Sequence, residues 1–183
     1  MSAPVGPLRP LTPSDAAAIA TWRYEPPFDL YDSTGGADDY EPPDVHGFGY
    51  WVVDADDETQ RGDAPSASAR RSVVAFVCVG PEGRVPGQDD EPGTLDIGMG
   101  VRPDALSQGV ASSLVPAVLD AVIERWGPQR LRTAVAAFNE RSLRLCRSAG
   151  LAERRRFAGP GGREFVEMVA DAGALVSDRR AQG

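Results

Sequence analysis

Thr94-Leu95-Asp96-Ile97-Gly98-Met99-Gly100-Val101 is followed by Arg102-Pro103-Asp104-Ala105-Leu106-Ser107-Gln108-Gly109-Val110-Ala111-Ser112-Ser113 and then by a helical run to Trp126. A short apolar strand that turns through small residues and opens straight into a helix leaves first-turn N–H groups without intrahelical partners, aimed at one spot. That spot suits an anion. Gly109 and Ala111 are small where a ligand must approach the backbone, so Gln108 through Ser113 reads as a phosphate-binding turn, unless Ser107 caps the helix and uses those amides. Neither a G-x-G-x-x-G opening a helix after a strand nor a G-K-[ST] is present, which removes the common nucleotide fingerprints.

Outward from this stretch, toward the N-terminus, Leu8 to Leu11 reads as a brief strand. Thr12-Pro13-Ser14-Asp15 starts a helix, with a hydroxyl cap, proline in the first turn and an acid at the positive end of the dipole, and Ala16 to Trp22 carries it on. Residues 23–44 hold two proline pairs and a glycine pair interleaved with Tyr24, Phe28, Tyr31 and Tyr40, a pattern that predicts an ordered loop against the domain. Phe48 to Asp54 and Val73 to Val79 read as strands, and the polar, small-residue segment 55–71 between them as a mobile hairpin tip. After the central helix, Gly127-Pro128 is a stop signal. Leu131 to Phe138 reads as a strand, Asn139 as the cap of a helix running to Ala149, and Ala152 to Phe157 and Glu164 to Val169 as two final strands, with a frayed tail from Asp171. The predicted order is β-α-loop-β-β-β-α-β-α-β-β, a mixed α/β (α+β) sheet, mostly antiparallel and flanked by helices, rather than a doubly wound one. One domain over residues 1–170 and a tail over 171–183 are expected.

The 183 residues are 42% apolar and 25% charged, within the range of globular proteins. No apolar run approaches the roughly 20 residues that span a bilayer, and the first residues lack the regions of a signal peptide, so a cytoplasmic location without membrane contact is the expectation. The net charge of -8 argues against a nucleic-acid partner and leaves room for a cationic or amine substrate. Cys78 and Cys146 suggest no disulfide framework. With His46 as the single histidine, a metal site or a histidine-dependent triad has little to be built from, and no metal is expected.

The element order, the strand-to-helix junction and the block Asn139-Glu140-Arg141-Ser142-Leu143-Arg144-Leu145-Cys146-Arg147-Ser148-Ala149-Gly150-Leu151 together resemble the GNAT superfamily of acyl-CoA-dependent N-acetyltransferases. The family's junction signature, [RQ]-x-x-G-x-[GA], falls on Leu106-Ser107-Gln108-Gly109-Val110-Ala111, with Leu106 in place of the usual Arg or Gln. In the second block Asn139, Ser142 and Ala149-Gly150-Leu151 match, with Leu151 in place of phenylalanine. The resemblance implies acetyl-CoA or another acyl-CoA as co-substrate. Its pantetheine arm would lie beside Met99, Gly100 and Val101 where the central strands splay, its pyrophosphate on Gln108, Gly109, Val110, Ala111, Ser112 and Ser113, with Asn139 reaching the arm or only capping its helix. Gly98 and Gly100 bare one face of their strand, either for such a ligand or for a tightly packed neighbour.

Amide formation from an amine and a thioester needs a deprotonated amine, a stabilised oxyanion and a proton for the leaving thiolate. The family's tyrosine acid corresponds here to Cys146. Ser142, four residues earlier on the same helical face, shares its claim on the thiol end, and both are equally readable as core-facing small residues. Asp96 shares strand parity with Gly98 and Gly100 and is a candidate base acting through water, a substrate anchor or a strand-edge charge. Trp22, Tyr24, Phe28 and Tyr31 are candidates for the wall of a substrate pocket, with Glu25, Asp29 or Asp32 binding the cationic amine of a small molecule or a protein N-terminus. A homodimer is compatible with this reading. The competing expectation, motivated by Leu106 and Cys146, is a non-catalytic acyl-CoA-binding or regulatory module on the same fold.

Overall fold

Alternation along three strands, β2 (Gly49–Asp56), β3 (Arg71–Val79) and β4 (Thr94–Val101), sorts their side chains onto two faces of a sheet. Trp51, Val53, Ala75, Val77, Leu95, Ile97 and Val101 join the main core, whereas Val52 and Phe76 join a smaller one on the opposite face. The computed structural model describes residues 6–56, 71–106 and 109–182. The expectation for segment 55–71 falls mainly on 57–70, outside the described residues, as do those for Ser107 and Gln108.

The sheet has seven strands in the order β1-β2-β3-β4-β5-β7-β6, completed by β1 (Arg9–Pro10), β5 (Arg130–Ala136), β6 (Ala152–Ala158) and β7 (Glu164–Asp171). Every neighbouring pair is antiparallel except β4–β5, which is parallel because α3 (Val110–Trp126) crosses between them. The short helix α1 (Pro13–Ile19) lies on the smaller core. It opens with a capping box in which the Asp15 amide donates to Thr12 Oγ1 at 3.3 Å and the Thr12 amide donates to Asp15 Oδ2 at 2.8 Å. The remaining helices are α2 (Pro103–Leu106), α4 (Glu140–Ser148) and α5 (Ala172–Gln182). On the main-core face, α3 contributes Leu114, Val118 and Val122, and α4 contributes Leu143. The chain after Asp171 is helical rather than frayed: Asp171 accepts from the Ala174 amide at 2.9 Å, and Leu175 is buried with its Cδ2 against Gly150.

The parallel pairing of β4 with β5 is short. It joins Thr94, Leu95 and Asp96 to Arg130, Leu131 and Arg132, after which β4 continues paired only with β3, and β5 only with β7. The two strands therefore form a V, closed at Asp96 and open toward Val101 and Ala136. A buried ion-pair network sits at the closed end. Arg132, 2% exposed, donates from Nε to Asp96 Oδ1 at 2.5 Å and from Nη2 to Oδ2 at 3.0 Å, and Arg84 Nε adds a bond of 2.9 Å to Oδ2. On β7, Glu167 is fully buried and accepts from Arg154 at 2.7 Å, Gln88 at 2.9 Å and Arg155 at 3.2 Å. Two successive arginines reach one carboxylate because a bulge between Glu153 and Arg155 interrupts the alternation of β6.

Candidate active site

The open V supplies what an extended ligand needs, a strand edge whose N–H and C=O groups are not used by a neighbouring strand. Beyond Asp96 that edge is formed by the backbone of Ile97, Met99 and Val101, since Gly98 and Gly100 pair with β3, and Met99 stands on it 36% exposed. Gly98 and Gly100 do not leave their face bare for a ligand. A Cβ on Gly100 would lie 2.3 Å from the Phe76 ring and one on Gly98 2.6 Å from Cys78 Sγ, so the glycines accommodate side chains of β3 paired directly opposite. Asp96 has the expected parity, yet its face at that point is the ion-pair network. At 2% exposure and bonded to Arg132 and Arg84, it is not placed to take a proton from a substrate through water; its charge holds the strands together.

At the start of α3, Gly109 is the N-cap with φ 73°, and among the described residues no side chain caps the helix. Only glycine takes this left-handed conformation without strain, and a Cβ there would meet nothing within 4 Å, so the backbone faces open space. A cleft of about 340 Å³ opens at this point, lined by Gly109, Ala111 and Ser112 from α3 and by Arg141, Arg144, Leu145 and Ser148 from α4. Ser113 lies on the exposed side and donates to the Val110 carbonyl at 3.1 Å, while Val110 packs against the main core. Gln108 is outside the described residues. The two arginines are new relative to the sequence reading. They are spaced i,i+3 and so share a helical face, and Arg141 also donates to the Leu106 carbonyl, fixing α4 against the segment that precedes the turn. Two guanidinium groups opposite a helix N-terminus are the chemistry that suits a polyanion. Their spacing within an otherwise acidic chain was the available signal.

Asn139 caps α4, its Oδ1 accepting from the Ser142 amide at 3.1 Å. Ser142 is half-buried one turn into the helix. Cys146 packs against the main core, and burial pushes its thiol up to about 11, with Arg147 opposing only weakly. It is a neutral, tightly held thiol at physiological pH.

The aromatic loop bridges the two arms of the V. Tyr24 Oη donates to the carbonyl of Val101, the last residue of β4, at 3.0 Å. On the other arm Phe28 packs against Phe138 just beyond β5, with ring centroids 5.7 Å apart, and Tyr31 Oη accepts from Asn139 Nδ2 at 3.3 Å. Tyr24 and Tyr31 meet edge to face at 6.5 Å. Burial raises the pKa of Tyr24, with repulsion from Tyr40 and Asp32 adding to it. Phe138, 39% exposed, belongs to this wall and was missed because the strand was expected to include it; β5 ends at Ala136 instead. Trp22 does not belong to the wall. It is 9% exposed and stacks on Phe76 at 6.0 Å within the smaller core. Glu25 and Asp29 are exposed on the same loop, whereas Asp32 is engaged by the Tyr24 amide at 2.9 Å.

A family model described as the acetyltransferase (GNAT) domain matches residues 7–152. No curated protein matches the sequence. Among solved structures, a chimera of the spermidine N-acetyltransferase SpeG from Vibrio cholerae and hSSAT is similar with a TM-score of 0.68 at 14% identity, covering 94% of this chain and 98% of that one. The aminoglycoside acetyltransferase AAC(6')-Ib, crystallised with coenzyme A and kanamycin, gives a TM-score of 0.68 at 17% identity over 96% of this chain and 99% of its own. The same enzyme with ribostamycin and coenzyme A gives 0.66 at 16% identity over 94% and 96%. The V between β4 and β5, the anion cleft at the start of α3 and the family match agree, and the chain belongs to the GNAT family of acetyl-CoA-dependent N-acetyltransferases.

Proposed function

We propose that the protein transfers the acetyl group of acetyl-CoA to a primary amine of a small molecule, by direct attack of the amine on the thioester carbon. The observation that carries this reading is the short β4–β5 ladder, because it leaves a strand edge running from the anion cleft to the aromatic loop. In this reading the pyrophosphate of the co-substrate lies against the amides of Gly109, Val110 and Ala111 and beside the Ser112 side chain, opposite Arg141 and Arg144; the Ser112 amide itself donates to the Gly109 carbonyl at 3.1 Å. The pantetheine arm passes Gly100 and bonds to the backbone of Met99 and Val101, with Asn139 and Ser142 on its other side. A backbone N–H of the same edge stabilises the oxyanion, at a place already organised before substrate binds. Tyr24, Phe28, Tyr31 and Phe138 form the acceptor wall, where aromatic faces and the exposed carboxylates of Glu25 and Asp29 favour a cationic amine. Since Asp96 is tied into ion pairs, the amine proton leaves to solvent or to those loop carboxylates. Spermidine and kanamycin, the amines named for the similar structures, are reasonable first acceptors.

Acetyl-CoA is expected to raise the unfolding temperature, and free CoA thiol is expected to appear when spermidine, kanamycin or another small primary amine is added. Stabilisation without thiol release across a broad amine panel would favour the non-catalytic module. The absence of both stabilisation and release would refute acyl-CoA binding.

A further inference from the structure

Breaking the C–S bond of the thioester leaves a thiolate that must be reprotonated, and the position that the family resemblance gives to this acid holds Cys146. That thiol packs against the main core, and burial makes it a weaker acid than a free thiol, so it is poorly placed to serve a cleft at the open V. The alcohol of Ser142 is a weaker acid than a phenol. A phenol reaches the start of α4, at the cap one turn before Ser142, from a different element. Asn139 Oδ1 is committed to the Ser142 amide at 3.1 Å, which turns the Nδ2 end of the amide toward Tyr31 Oη at 3.3 Å. Nδ2 only donates, so the Tyr31 oxygen is the acceptor and its own proton is directed elsewhere. Tyr24, the neighbouring phenol, has already spent its proton on the Val101 carbonyl. Tyr31 is 39% exposed, and the turn that carries it (Phe28–Tyr31) is held at the open end of the V by Phe28 on Phe138 and by the edge contact with Tyr24.

We propose that Tyr31 is the proton donor to the leaving thiolate, a deduction that rests on the acetyltransferase reading of the site. The amine nitrogen forms its bond to the carbonyl carbon, the C–S bond breaks with its electron pair going to sulfur, and the phenolic proton of Tyr31 passes to that sulfur. The proton lost by the amine nitrogen goes to solvent, and the tyrosinate recovers one from solvent. Asn139 acts as a positioning residue, since its helix cap fixes which way the phenol points.

Tyr31→Phe keeps the ring and its packing, so the unfolding temperature and its rise with CoA are expected to stay at wild-type values. With the amine that the wild type accepts, kcat is expected to fall at least about a hundredfold while KM for acetyl-CoA is unchanged. A second readout needs no acceptor: the thiol of CoA bound to the full chain, titrated by its ultraviolet thiolate absorbance against the desulfo-CoA complex. A phenol donating to the thiolate lowers the bound thiol's pKa, so the value in Tyr31→Phe is expected to be higher by about one unit, a tenfold change. Wild-type kcat in the variant, a loss confined to KM for the amine, or equal thiol pKa values would each overturn the assignment. If no amine yields thiol release in the wild type, the acetyltransferase reading fails, and the bound-thiol titration still decides the role of Tyr31.

Discussion

Replacing Arg132 with alanine is expected to destabilise the fold by about 3–5 kcal/mol, read from the urea midpoint at neutral pH, because it leaves a buried carboxylate without its partner. Asp96 would lose both bonds of its bidentate pair and keep only Arg84, and Glu167, 3.7 Å from Arg132 Nη1, would lose part of its compensating charge. By contrast, Arg147→Ala removes exposed pairs with Glu140 and Glu153, and little change is expected. The same network sets an acid dependence. Burial alone would push Glu167 up, but hydrogen bonds from Arg154, Gln88 and Arg155 outweigh it and bring the carboxyl down to about 2 from 4.5. A depressed acid contributes stability that is complete above its unfolded value and is lost as pH falls toward the folded value. Wild-type stability is therefore expected to decline between pH 4.5 and 2 through this group, and Glu167→Gln to show a shallower decline over that window. The network stands at the point where the strands diverge, since Arg132 and Asp96 are the last paired residues before β4 and β5 part.

Gly109→Glu is expected to abolish the stabilisation by acetyl-CoA, with affinity falling by more than about a hundredfold through like-charge repulsion and lost contact. Its side chain would project into the cleft opposite Arg141 and Arg144, where the phosphates are proposed to lie. Any side chain at φ 73° also strains the turn, so Gly109→Gln is the matched control; glutamine has the size of glutamate, is equally strained in left-handed backbone and carries no charge. Both variants are expected to lose similar unfolding temperature without ligand, and only the glutamate variant to lose the shift with acetyl-CoA. Equal shifts in the two would place the phosphates elsewhere.

The parts of the molecule that were legible in the sequence are those set by local chemistry. Thr12 and Asp15 announce their helix cap within four residues, Asn139 its cap within the same span, and the alternation of Leu95, Ile97 and Val101 puts these three on the core face. What the sequence did not disclose depends on partners distant along the chain. Gly100 faces Phe76 only through the register of β3 with β4, so the same two glycines were open to a ligand reading until that register was known. Asp96 carried a correct parity and a wrong environment, because Arg132 is 36 residues away and Arg84 sits on the preceding loop. Trp22 followed a similar course, absorbed by Phe76 into the smaller core, while its loop neighbours Tyr24, Phe28 and Tyr31 were carried to the mouth of the V. Arg141 and Arg144 were readable as a helical pair, but nothing local indicates that their face meets the start of α3.

The most direct test of acyl-CoA binding in the V is a crystal structure of the chain with acetyl-CoA. The predicted result is a pyrophosphate on the amides that begin at Gly109, flanked by Arg141 and Arg144, and a pantetheine arm along the β4 edge from Ile97 to Val101 with the acetyl carbon facing Tyr31. A co-substrate bound away from β4, or phosphates on another surface, would contradict it.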